Sequence, residues 1–204
     1  NTVFEDTTGN VGYYVNNEYP VDETGMGTVA NTTVLHSGDE FSIYLLADTT
    51  SWSDEFMYFK DVPTEICAGK EFQAVLYGRN MMSAGASAEA GCTVELKNLD
   101  TNETAEFVTD ADGVASIKAD KAGNYQLTVT KTPYTYFVAP LAQFEAKEHV
   151  FDEGKVTKEP TCAEAGEKTY TCTVCGTTKT EEIAKTNKHT YDKGVVTKKA
   201  TYTA

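Results

Sequence analysis

A sixteen-residue sequence pattern occurs twice near the end of the chain. Residues 149–164 (HVFDEGKVTKEPTCAE) recur forty positions later as residues 189–204 (HTYDKGVVTKKATYTA). The seven identical positions are His149/His189, Asp152/Asp192, Gly154/Gly194, Val156/Val196, Thr157/Thr197, Lys158/Lys198 and Thr161/Thr201. A unit of about 40 residues buries too little apolar surface to fold through a hydrophobic core alone. The repeat therefore needs a further source of folding free energy, such as a bound metal or a disulfide.

The first copy of the repeat carries residues that could bind such a metal. Cys162, Cys172 and Cys175 follow a C-x9-C-x2-C spacing, and His149 lies thirteen residues before the first cysteine. A CxxC turn presents two thiolates to one tetrahedral metal ion, and Gly176 permits the tight reversal of the chain. Three thiolates and one imidazole predict a closed structural zinc site formed by His149, Cys162, Cys172 and Cys175.

Two alternatives to this ligand set stay open. His189 begins the second copy of the repeat and is an alternative ligand, because the position that matches Cys162 in that copy is Tyr202. In the other alternative, Cys172 and Cys175 form a redox-labile disulfide and no zinc is bound. A catalytic metal is not indicated, because such a site keeps an open coordination position beside a general base.

The other two cysteines precede this repeat. Cys67 and Cys92 flank predicted strands, and an extracellular setting permits oxidation. We therefore predict a disulfide between Cys67 and Cys92, which leaves the remaining three cysteines for the metal. Two buried, reduced thiols are the alternative.

Charge divides the chain into three segments. Residues 1–66 hold twelve acidic residues and one lysine, residues 67–147 hold ten acidic and seven basic residues, and residues 148–204 hold nine of each. The net charge is −14, and Arg79 is the only arginine. Nucleic-acid binding is excluded because it needs a basic face. Direct membrane insertion by this fragment is also excluded, because no apolar run approaches the about 20 residues that a span needs.

Alternating apolar residues between turn signals predict β-strands in all three segments. Val11–Val15 is a predicted strand that ends at an Asn16-Asn17 turn, and a glycine-rich connection follows at Gly25-Met26-Gly27. Residues 62–146 alternate as the strands of an immunoglobulin-type sandwich do. The 31 threonines also favour strands. The predicted fold class is all-β, with a small β module, an Ig-like β-sandwich and a small Cys-containing β repeat.

Three stretches resemble families found in Gram-positive surface proteins. GYYVNNEYP and VLHSGDEFSIYL, with Trp52 downstream, resemble the later half of the transcobalamin C-terminal-like domain. VTDADGVASIKADKAGNYQLTV is similar to bacterial Ig-like domains, and EPTCAEAGEKTYTCTVCGTTKTEEI resembles a cysteine-containing repeat of clostridial surface proteins. The resemblances divide the chain into a partial transcobalamin-like module (1–61), an Ig-like sandwich (62–146), one repeat (147–188) and the start of a second repeat (189–204).

These resemblances imply a non-catalytic segment of a secreted or wall-attached bacterial protein that serves as a stalk, adhesion or binding-module scaffold. The chain contains no GxSxG, HExxH, P-loop or dinucleotide-binding motif. We expect its partners to be an extracellular protein or glycan and neighbouring domains of the same chain. The alternative is a ligand-binding module that holds a corrinoid or a glycan on the N-terminal β domain. Because the chain begins without methionine and stops inside a repeat, we expect it to be a fragment.

Overall fold

The computed structural model describes residues 11–21, 23–24, 33–198 and 200–202, so the predicted glycine-rich connection at Gly25–Gly27 lies outside the described residues. Within the described part, the regular elements are all β-strands, which confirms the all-β prediction. The described residues include no helix with the length and apolar character required to cross a membrane. The chain divides into two compact units, residues 1–148 and residues 149–204.

A two-stranded antiparallel sheet begins the first unit. Its strands are β1 (Val11–Val15) and β2 (Phe41–Leu45). The predicted turn after β1 is present, because Asn16 and Asn17 have φ angles of 52° and 62°. Asparagine tolerates this left-handed region better than most residues do. The N–H of Asn16 donates to the carbonyl of Glu40 at 2.8 Å, which joins the turn to the start of β2.

Ten further strands form two larger sheets in the first unit. In chain order they are β3 (Glu55–Lys60), β4 (Glu65–Cys67), β5 (Glu71–Arg79), β6 (Ser87–Ala88), β7 (Thr93–Asn98), β8 (Thr104–Val108), β9 (Val114–Lys118), β10 (Gly123–Lys131), β11 (Phe137–Val138) and β12 (Leu141–Lys147). One sheet has the order β4-β12-β10-β7-β8. The other has the order β11-β3-β5-β6, with β9 also paired to β5. The β4–β12 and β11–β3 pairs are parallel, and the other pairs in these two sheets are antiparallel.

These two sheets share one hydrophobic core. Leu76 on β5 and Ile117 on β9 face it from one sheet, and Val94 on β7 and Leu127 on β10 face it from the other. All four side chains are fully buried. Alternate residues of β7 and β10 are buried, as expected for strands that present one face to a core. The sheets therefore pack face to face. Strand β3, which the sequence prediction placed in the first module, belongs to this packed pair because it pairs with β5.

The second unit is a single antiparallel sheet with little interior. Its strands are β13 (Lys155–Lys158), β14 (Gly166–Thr171) and β15 (Thr178–Ile183), in the order β13-β14-β15. All four residues of β13 and five of the six in β15 are exposed. Among the described residues of this unit, Cys172 is the only buried hydrophobic side chain. Apolar burial therefore contributes little to the stability of this unit.

The shared core predicts a large effect of truncation at Leu127. We expect Leu127→Ala to lower the free energy of unfolding by about 2–5 kcal/mol, because it removes buried methyl groups and leaves a cavity. Leu141→Ala on the neighbouring strand is the matched control, since Leu141 is 65% exposed. Urea denaturation measures both variants. Equal midpoints for the two variants would contradict the assignment of Leu127 to the core.

Candidate metal centre

The second unit brings together three of the four predicted zinc ligands. The ligand atoms of His149, Cys172 and Cys175 all lie within 4.8 Å of one another. Sγ of Cys175 lies 3.4 Å from Nδ1 of His149. Donor atoms bound to one tetrahedral zinc ion are about 3.3–3.8 Å apart, given metal–ligand distances of about 2.0–2.3 Å. The three side chains are therefore close to the arrangement that a single bound ion requires.

The two cysteines sit in the tight turn predicted from the CxxC spacing. The N–H of Gly176 donates to the carbonyl of Cys172 at 3.0 Å, and the N–H of Cys172 donates to the carbonyl of Thr177 at 2.8 Å. Gly176 has a φ of 73°, a left-handed angle that favours glycine. The turn between β14 and β15 thus holds both sulfur atoms in the cluster.

A short extended segment positions His149 beside this turn. Phe151 forms an isolated β-bridge with Cys172, and the N–H of Thr173 donates to the carbonyl of Val150 at 2.8 Å. The imidazole of His149 also stacks on the ring of Phe151, with centroids 5.5 Å apart. Residues 150–152 therefore run alongside residues 171–173. This pairing places His149 next to Cys175, although the two residues are 26 positions apart in the sequence.

Asp152 anchors that segment. Its Oδ1 accepts hydrogen bonds from the N–H groups of Gly154 at 3.0 Å and Thr171 at 2.9 Å. In the second copy of the repeat, Oδ1 of Asp192 accepts from the N–H of Gly194 at 2.8 Å. Gly154 and Gly194 have similar positive φ angles of 71° and 65°. The two copies that the sequence identifies therefore begin with the same local turn.

The electrostatic environment favours a thiolate at Cys172. The hydrogen bond from the N–H of Cys175 and, to a smaller extent, the contact with His149 contribute to lowering the pKa of the Cys172 thiol to about 5. The same contact raises the pKa of His149. The thiolate is the form of cysteine that binds metals. The cluster therefore offers one preformed thiolate, a second thiol and an imidazole.

The structure does not bring the other two predicted ligands into the cluster. Cys162 is exposed and lies in a turn where Oγ1 of Thr161 accepts the N–H of Glu164 at 2.9 Å. His189 is also exposed and stacks on Tyr191, with ring centroids 6.1 Å apart. The C-x9-C spacing suggested a shared site, but the strand β14 separates Cys162 from the CxxC turn.

The predicted Cys67–Cys92 disulfide is not formed, and no disulfide joins any of the five cysteines. Cys67 ends β4, and Cys92 directly precedes β7. Strands β12 and β10 lie between β4 and β7 in the sheet, so the two cysteines are three strand spacings, or about 14 Å, apart. A disulfide needs Cα atoms within about 7 Å. Cys92 instead is a buried thiol, and burial raises its pKa.

A second concave site lies in the first unit. A cleft of about 500 Å³ is lined by residues of β2 and β3 and by the segment 138–142. Tyr44, Phe56 and Tyr58 supply aromatic rings to its wall, and Asn17 and Glu40 supply polar groups. Its volume falls within the range of small-molecule sites, about 300–1,000 Å³.

Comparisons with known proteins do not assign a family to this chain. No protein-family model matches it, and no curated protein sequence matches it at a significant level. The resemblances drawn from short motifs therefore stay predictions.

Asp152 and Asp192 occupy equivalent positions in the two copies of the repeat, so they provide a matched test of the role of Asp152. We expect Asp152→Ala to lower the free energy of local opening at the Thr171 amide by about 1–2 kcal/mol, because two hydrogen bonds to a carboxylate are lost. Asp192→Ala removes only the bond from Gly194 and should leave that amide unchanged. Hydrogen exchange at Thr171 measures both. Equal protection in the two variants would show that Asp152 does not hold the segment.

Proposed function

We propose that the chain is a non-catalytic, all-β scaffold segment of a secreted bacterial surface protein, and that a structural zinc ion stabilises its repeat. The cluster of His149, Cys172 and Cys175 carries this proposal. Thiolate and imidazole donors suit zinc, whereas calcium and magnesium prefer oxygen ligands. A structural role fits better than catalysis, because no carboxylate general base accompanies the three donors in the cluster found among the described residues.

The need for a metal follows from the small interior of the second unit. Its outer strands β13 and β15 are almost wholly exposed, and Cys172 is its one buried hydrophobic side chain among the described residues. Folding must still offset the loss of backbone entropy in every ordered residue. In small zinc domains the free energy of metal binding supplies what burial does not. We propose that zinc binding likewise offsets the loss of backbone entropy in the second unit.

The scaffold part of the proposal rests on the first unit. Two sheets that pack around one core support our proposal of an Ig-like sandwich at residues 62–146. Strand β3 would be an additional strand of this sandwich, because it pairs with β5. The hydroxyl of Tyr125 donates to the carbonyl of Lys121 at 2.9 Å, a contact similar to the tyrosine corner of Ig domains. The charge of −14 favours solubility outside the cell. An extracellular protein or glycan partner and neighbouring domains of the same chain are part of this proposal.

The cleft in the first unit favours the second candidate function, a ligand-binding module. A corrinoid or glycan would pack against its aromatic side chains. Titration with cobalamin, followed by its visible absorbance, separates the two proposals. Saturation at micromolar concentration would favour the ligand-binding module, and an unchanged spectrum would favour the scaffold.

Zinc stoichiometry tests the metal proposal directly. We expect one zinc ion per chain in native mass spectra of the reduced protein, lost on acid denaturation. Cys172→Ser and Cys175→Ser should abolish or strongly weaken binding, because each removes a thiolate ligand. Cys162→Ser is the matched control and should retain the ion. Zinc binding that survives in both CxxC variants would overturn the structural zinc site.

A further inference from the structure

Two glutamates are buried together at one end of the core in the first unit. Glu55 begins β3 and Glu89 directly follows β6, and their exposed fractions are only 4% and 3%. Both reach over Gly78 on β5. A Cβ atom on Gly78 would lie 2.7 Å from Oε1 of Glu89 and 2.9 Å from Oε1 of Glu55. Because both oxygens lie that close to one point, they are less than about 6 Å apart, within the range of strong charge coupling.

Uncharged donors hold the two carboxyl groups. Nδ2 of Asn80 donates to Oε2 of Glu55 at 3.0 Å, and the hydroxyl of Tyr134 donates to Oε2 of Glu89 at 2.7 Å. Oγ of Ser87 donates to Oε1 of Glu89 at 3.3 Å. In the described part of the chain, no ion pair includes either glutamate. The pair therefore lacks the cation that usually accompanies buried carboxylates.

The surrounding ionisable groups do not supply that cation. They are Tyr14 on β1, Tyr44 on β2, Asp54 before β3, Arg79 on β5, Cys92 before β7 and Tyr134 before β11. The guanidinium of Arg79 contacts the carboxylate of Glu18 and the ring of Tyr14. The carboxylate of Asp54 accepts the N–H groups of Ala47 and Asp48, both at 2.8 Å.

Two ionised carboxylates at this separation repel each other strongly when water is excluded. Burial raises the pKa of Glu55. The hydrogen bond from Asn80 lowers that pKa and the charge of Glu89 raises it, and the net direction is upward. Burial and the hydrogen bond to Glu89 also raise the pKa of Tyr134, so this hydroxyl stays a donor.

The pair also holds the segment that covers it. Tyr134 bonds to Glu89, and the N–H of Glu55 donates to the carbonyl of Tyr136 at 3.1 Å. The two-residue strand β11 pairs with β3 at Glu55 and Phe56. Movement of residues 134–138 would let water reach the carboxyl groups and relieve their repulsion.

We propose that Glu55 keeps its proton beside Glu89 in the folded protein at neutral pH, and that loss of this proton at higher pH loosens residues 134–138 from the end of the core. The stabilising effect of the proton is fully present below the pKa of Glu55 in the unfolded chain, near its ordinary value of 4.5. This stability is lost as the pH rises through the higher pKa of the folded state.

Glu55→Gln tests the proposal, because glutamine keeps the carbonyl acceptor for Asn80 and cannot ionise. Between pH 5 and pH 9, the unfolding constant of the wild type should rise by up to about tenfold per pH unit until Glu55 has ionised, relative to Glu55→Gln. Glu95→Gln, at a half-exposed position of β7, is the matched control and should follow the wild type. Parallel pH profiles for wild type and Glu55→Gln would overturn the proposal.

Infrared spectroscopy of the full wild-type chain gives a second readout that does not depend on a variant folding. At pH 7 we expect the C=O stretching band of a protonated carboxylic acid, which an ionised carboxylate lacks. Amide exchange in residues 136–138 should accelerate as that band disappears with rising pH. Absence of the band at pH 7, or its loss with rising pH without faster exchange in residues 136–138, would overturn the proposal.

Discussion

The candidate metal centre depends on the pairing of residues 150–152 with residues 171–173. This pairing brings His149 to a CxxC turn that lies more than twenty positions away along the chain. Asp152 reinforces it by accepting two backbone N–H groups, one of them from Thr171. The three donors then meet in a unit that has almost no hydrophobic interior. A bound metal ion would therefore stabilise the same few residues that the backbone pairing brings together.

The first unit is stabilised in a different way. Its two large sheets enclose a continuous core, so apolar burial stabilises this unit. At the edge of that core, Glu55 and Glu89 converge over Gly78. A side chain at Gly78 would displace both carboxyl groups. The absence of a Cβ at this position therefore makes the buried pair possible.

Local features were predictable from the sequence because neighbouring residues determine them. The Asn16-Asn17 turn, the CxxC turn with Gly176 and the repeated turn before Gly154 and Gly194 all occur as the residue types indicate. The predicted cysteine partners were wrong because the number and spacing of cysteines do not give the distances between them. Cys162 precedes β14 and the CxxC turn follows it, so the strand keeps Cys162 out of the cluster. Two strands of the sheet separate Cys67 from Cys92.

From the sequence alone, the all-β class, the positions of the tight turns and three of the candidate metal ligands (His149, Cys172 and Cys175) could be predicted. Alternation of apolar residues and the backbone preferences of glycine and asparagine act over a few residues, so a single chain reveals them. The three-dimensional packing was needed to show that Cys162 lies outside the metal cluster, that β3 joins the two packed sheets and that Glu55 and Glu89 meet at one end of their core. Strand order sets those contacts, and it depends on packing between residues distant in the chain.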